Sequence, residues 1–186
     1  MKQLAVICPG IGYHKDKPLL YYAAKLAQTR GYDLMQIVYH EMPENIRGNQ
    51  EMMQNAAALA CQQTEAQLQT VDWSAYDKTL LIGKSIGTIA AARYAAVHSL
   101  PAKQIWYTPL NATFSSPPAS AGACIAFLGT ADPWSDRMQM EQSAAKQNIP
   151  LYLYPDCNHS LECDNVFRNL GYLREIMQIT SDFIND

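Results

Sequence analysis

At 186 residues the chain is the size of one domain, against a typical ~150. Hydrophobic residues make up 48% and charged residues 17%, which supplies a full core and excludes wholesale disorder. A net charge of −3 and a pI of about 5.8 argue against nucleic-acid and anionic-membrane partners, since both need clustered Lys and Arg.

In chain order, the continuous apolar run Leu4–Pro9 predicts a buried strand closed by Pro-Gly. It is too brief for a signal-peptide core, and no run approaches the ~18–20 residues that span a bilayer. Leu19, Ala23, Leu26 and Ala27 recur at helical spacing over Pro18–Arg30, and Gly31 offers a stop. Leu34–Tyr39 reads as a second strand and His40–Gln50 as a loop. Glu51–Val71, rich in Ala, Gln, Glu and Met, is the longest predicted helix. Thr79–Ile82 is a third strand, followed by a tight turn over Gly83–Gly87 and an Ala-rich helix over Thr88–His98. Ile105–Thr108 is a short strand, Pro109–Ala121 an irregular loop, and Cys124–Leu128 another strand. Ser135–Gln147 reads as a helix, Leu151–Tyr154 as the last strand and Asn165–Phe183 as the closing helix.

Six buried strands alternating with helices predict an α/β fold: a three-layer α/β/α sandwich with a mostly parallel sheet. No repeat or linker divides residues 1–186, so a single domain is expected. The five cysteines (8, 61, 124, 157 and 163) include no CxxC pair, which argues against a disulfide framework. The location expected is the cytoplasm.

Gly83-Lys84-Ser85-Ile86-Gly87 fits the G-x-S-x-G nucleophile turn, with the strand before and the helix after that the motif requires. Such a turn lifts the Ser85 hydroxyl clear of the sheet and puts the Ile86 N–H at a helix start, suited to an oxyanion. Two nucleotide-binding readings fail. A phosphate-binding loop needs glycine where Lys78 stands, and Gly10-Ile11-Gly12 lacks a third glycine at Lys15.

A serine needs a base. Among four histidines, His98 falls at a helix end, His40 precedes the serine turn, and His14 lies in the first loop. His159 follows the last strand, on the carboxyl edge that also carries Ser85. Asp132, after the Cys124–Leu128 strand, is the preferred third member. Asp136 is a close rival, and Asp156, Glu162 and Asp164 lie near His159 in sequence. A second oxyanion N–H is expected from Ile11, Gly12 or Tyr13. Tyr107, Trp134 and Phe114 fall near the same edge as candidate pocket residues. Cys157 and Cys163 flank His159, but lack the ligand number and spacing of a zinc site. No metal or cofactor is expected.

Four segments together resemble the α/β-hydrolase superfamily, particularly its small capless members related to dienelactone hydrolases. They are Cys8-Pro9-Gly10-Ile11-Gly12, Leu81-Ile82-Gly83-Lys84-Ser85-Ile86-Gly87, Phe127-Leu128-Gly129-Thr130-Ala131-Asp132-Pro133 and Asn158-His159-Ser160-Leu161-Glu162. The order Ser85, Asp132, His159 is that superfamily's order. The chain starts at what resembles the family's third strand, without its antiparallel first strands, and no insertion large enough for a lid follows Ile105–Thr108. The resemblance then implies six parallel strands in the order 2-1-3-4-5-6, numbered along this chain, with the Thr79–Ile82 strand central and right-handed crossovers. In the first loop Pro9-Gly10 stands where the family carries a His-Gly pair. The expected activity is cleavage of a small ester or related acyl substrate through an acyl-serine. The rival expectation is a binding or scaffold protein that keeps the fold without the activity.

Overall fold

The structure is a computed structural model that describes residues 1–120 and 122–185. Each apolar run becomes a strand, the central ones largely buried and the two edge strands β2 and β6 partly exposed: β1 (Gln3–Cys8), β2 (Asp33–Gln36), β3 (Lys78–Lys84), β4 (Lys103–Tyr107), β5 (Cys124–Gly129) and β6 (Leu151–Tyr154). They form one sheet in the order β2-β1-β3-β4-β5-β6, and all five pairings are parallel. This is the expected order, and it reverses direction between β1 and β3. Ligands of open parallel sheets bind at such a switch point, outside the carboxyl ends of the strands.

Among the described residues five helices cover the two faces: α1 (Pro18–Thr29), α2 (Gln50–Leu68), α3 (Ile86–Val97), α4 (Arg137–Lys146) and α5 (Val166–Asn185). Alternation along the strands divides the core between them. Ala5, Ile7, Leu80, Ile82, Ile105, Tyr107 and Phe127 pack against Leu20 and Ala23 of α1 and Ile176 and Phe183 of α5. Leu4, Val6 and Leu81 face Ala91 and Tyr94 of α3, while Trp106, Ala126 and Leu128 face Met140 and Ala144 of α4. Helix α2 buries a stripe four residues apart, Ala56, Ala60, Thr64 and Leu68, and its small side chains seat it on Ile86 and Ala90 of α3. Among the described residues, no helix is long and apolar enough to cross a membrane.

The differences from expectation are local and have local causes. The serine turn is tighter than Gly83–Gly87: Gly83 and Lys84 still pair in β3, and α3 already begins at Ile86. Helix α4 starts at Arg137, two residues late, because the Asp136 carboxylate accepts the Gln139 N–H at 3.0 Å and caps it. The 109–121 loop contains a 3-10 turn, Asn111–Ser115, and its last residue lies outside the described residues.

Strand β2 ends at Gln36, although the chain stays apolar to Tyr39. Beyond that point two glutamines of α2 take the place of a neighbouring strand. Gln67 accepts from Val38 N–H at 3.0 Å and donates to Val38 O at 2.9 Å; Gln63 does the same for His40, both at 2.8 Å. One helical turn of α2 thus fixes the direction in which the 41–49 segment leaves the sheet.

Candidate active site

The serine turn depends on backbone contact. A Cβ on Gly87 would stand 2.1 Å from the Cys8 carbonyl oxygen and 2.5 Å from that of Pro9; one on Gly83 would stand 2.7 Å from Thr88 Cα. Glycine at both positions lets α3 start against the end of β1. Ser85 is held at φ 55°, ψ −123°, a conformation a side-chain-bearing residue rarely adopts. Its neighbours hold it there: Ser85 N–H donates to Tyr107 O at 3.0 Å, and Thr88 donates to Ser85 O from both its N–H (2.9 Å) and its hydroxyl (2.6 Å). Gly87→Ala is expected to cost ~3 kcal/mol or more by forcing β1 and α3 apart. Urea unfolding measures this, and an unchanged midpoint would mean that the contact is dispensable.

The loops after β5 and β6 are tied together beside the serine. Ala131 N–H donates to Cys157 O at 3.0 Å, and Asp156 N–H to Thr130 Oγ1 at 2.9 Å. Asn158 folds the following turn by accepting from Ser160 N–H at 2.7 Å. His159 then bridges two side chains. Its Nε2 lies 2.7 Å from Ser85 Oγ and its Nδ1 2.7 Å from Asp132 Oδ2. The other oxygen of Asp132 accepts Trp134 N–H at 2.9 Å, and the Trp134 ring lies 5.7 Å from the imidazole. Burial, and the nearby charge of Lys84, hold the imidazole pKa below its ordinary 6.5, while the hydrogen bond to Asp132 works the other way. At neutral pH the ring is therefore uncharged, free to accept a proton at Nε2 while donating Nδ1–H to Asp132.

The rival groups lie elsewhere. Asp136 caps α4, and Asp156 pairs with Arg168 at 3.1 Å on the surface. His98 binds Glu65 at 2.8 Å, and His14 lies 3.6 Å from Asp16, well exposed.

Ser85 and His159 open onto a cavity of about 860 Å³, which Ile11, Ile86 and Trp134 also line. The Ile86 N–H starts α3 and so has no partner within the helix. Of the three first-loop candidates, Ile11 alone lines the cavity, and its N–H has no hydrogen bond among the described residues. The Tyr13 N–H is spent on Gly10 O at 3.3 Å. Gly12, at φ 71°, sits in the same small turn but lines no part of the cavity.

Of the three candidate pocket aromatics, Trp134 lines the cavity, while Tyr107 and Phe114 do not and need correcting. Tyr107 is fully buried on the α1/α5 face of the sheet, where its hydroxyl meets Thr180 Oγ1 at 2.7 Å. Phe114 packs edge-on against Trp106 in the core beside α4. Tyr13 turns inward, and its hydroxyl accepts Leu19 N–H at 3.2 Å. The cavity wall comes instead from residues 43–57, notably Ile46, Met53 and Ala57, together with Ile89 and Leu110. The sequence signals were slight: a lone isoleucine in a polar loop, and a methionine that reads as an ordinary helix position.

No protein-family model matches the chain, and no curated protein does. Among solved structures it is similar to an α/β serine hydrolase homologue from Coxiella burnetii, with TM-score 0.68 and 16% identity over 97% of this chain and 84% of that one. Dienelactone hydrolase from Anabaena variabilis is similar with TM-score 0.68 and 18% identity, over 98% and 85% of the two chains. A serine hydrolase without a lid from Xanthomonas campestris follows at TM-score 0.57 and 17% identity, over 97% and 81%. The connection from β4 to β5 likewise holds only the short 3-10 turn among its described residues. In backbone architecture this chain therefore has the α/β-hydrolase fold, in the small form of the capless and dienelactone-hydrolase-like structures.

Proposed function

We propose that the chain is a serine hydrolase that cleaves a small carboxylic ester or a related acyl substrate. The observation that carries this reading is the unbroken relay from Ser85 Oγ through His159 to Asp132, 2.7 Å at each step, opening onto a cavity. Ser85 Oγ attacks the acyl carbon while His159 Nε2 takes its proton, and Asp132 stabilises the imidazolium and fixes its tautomer. The oxyanion accepts the N–H groups of Ile86 and Ile11. Collapse of the tetrahedral intermediate expels the alcohol, which takes the proton from His159 and leaves an acyl-serine. Water then attacks that ester, giving its proton to His159, and the second collapse releases the acid and returns the proton to Ser85. The apolar wall formed by Ile46, Met53, Ala57 and Ile89 suits the apolar part of the substrate. The dienelactone hydrolase and serine hydrolase neighbours support acyl chemistry over other uses of the fold.

A fluorophosphonate probe should add once to the intact protein, on the peptide that contains Ser85, and should not add to Ser85→Ala. Labelling that persists in the variant would remove the nucleophile. A wild-type protein that never labels would favour the binding or scaffold alternative.

A further inference from the structure

Lys84 is the buried charge that the hydrolytic steps leave unused. It is 1% exposed, at the carboxyl end of β3, and it continues the register of Leu80 and Ile82 on the α1/α5 face. Among the described residues it has one hydrogen-bond partner, Thr108 Oγ1, at 2.6 Å. Its ammonium also lies over the Tyr13 ring, 4.8 Å from the centroid. Thr108 follows β4 and is itself held at φ 47°. Tyr13 closes the small turn that carries Ile11. One side chain thus touches two of the loops that border the serine, and it does not line the cavity onto which Ser85 opens.

We propose that Lys84 is a positioning residue for the hydrolytic site, holding the Ile11 loop and the start of the β4–β5 connection in place and biasing His159 by its charge. The inference rests on the serine-hydrolase reading for its catalytic meaning. A cation–π contact with a desolvated ring and a hydrogen bond to a buried hydroxyl are the two interactions that keep an ammonium in such a place.

The charged and titratable groups that act on this cluster come from three connections. Tyr13 and Lys17 lie on the loop before α1, with the Lys17 ammonium 5.2 Å from the same tyrosine ring. Asp132 after β5 attracts the ammonium, and His159 after β6 is opposed by it. Glu162, beyond His159, acts on Tyr13. A cation on this side of the imidazole makes its protonation harder, so the base stays free further into mildly acidic conditions.

Two measurements test the proposal, both read without turnover. In the wild-type protein, an NMR titration of the His159 ring and of the Lys84 Cε should show each group sensing the other's ionisation. In Lys84→Met, the His159 pKa should rise by about half a unit or more, and the acid limb of fluorophosphonate labelling should move up with it. A merely structural lysine would leave that pKa in place. An unchanged His159 titration in a folded Lys84→Met protein would overturn the proposal. So would a wild-type titration with no coupling, which needs no variant at all. Loss of Ser85 labelling in the wild type would strike the hydrolase reading instead, and the NMR coupling would still be measurable.

Discussion

Asp132→Asn is expected to lower turnover of a reactive ester by about 10⁴-fold, with the fold and Ser85 in place. Asp132 accepts two hydrogen bonds, from Trp134 N–H and from the His159 ring. An asparagine can keep the first with its amide oxygen. Its NH₂ group then faces Nδ1, and only a ring that carries its proton on Nε2 can accept from it. That tautomer has no lone pair for the Ser85 proton. Asp136→Asn should change turnover less than about two-fold, because asparagine caps a helix about as well as aspartate. The comparison is internal, since both substitutions remove one carboxylate from the same connection after β5. Steady-state rates on a nitrophenyl ester decide it, and the reverse ranking would take Asp132 out of the relay.

What was legible in the sequence follows from how each feature is encoded. Ser85, Asp132 and His159 each lie a few residues past an apolar run, and parallel strands bring such positions to one edge whatever the loops do in detail. The strand positions followed from the same runs, the strand order from the family resemblance, and the start of α1 from Pro18 at its first turn. Tyr107 was misplaced although the signal was present. It shares the parity of Ile105, and period-2 alternation sends both to the α1/α5 face, where Thr180 receives the hydroxyl. Phe114 was misplaced because nothing in the loop showed that a 3-10 turn would carry it onto Trp106. The cavity wall was hardest to read. Its course is set by Gln63 and Gln67 bonding the backbone of His40 and Val38, contacts 23 and 29 residues apart that no local pattern announces. Lys84 entered the sequence reading only as a member of the serine turn. Its two-residue phase with Leu80 and Ile82 already put a lysine on a buried face.

The same lysine gives the second large effect, on stability. Burial, with Lys17 adding and Asp132 opposing, pushes its ammonium from an ordinary 10.5 down to about 7. In the unfolded chain Lys84 stays protonated up to about pH 10. Between pH 7 and 10 the unfolded state therefore binds more protons at this site than the folded one, and stability must rise with pH over that window. Below pH 7 both states are protonated and the burial penalty is present in full; above about pH 10 both are neutral and it is gone. A shift of this size corresponds to an upper bound of roughly 5 kcal/mol at ~1.4 kcal/mol per unit. Methionine fills a similar volume without a charge but leaves Thr108 Oγ1 without its donor, which returns about 1 kcal/mol. Lys84→Met is thus expected to be more stable than wild type at pH 6 by roughly 2–4 kcal/mol, with the gap closing toward pH 10. Tyr107 and Tyr154 also titrate at high pH, but both proteins carry them, so the difference between the two urea-unfolding series isolates the lysine. Parallel curves across pH 6–10 would mean that Lys84 finds enough solvent or counter-charge to stay ionised, and the burial argument would fail at its source.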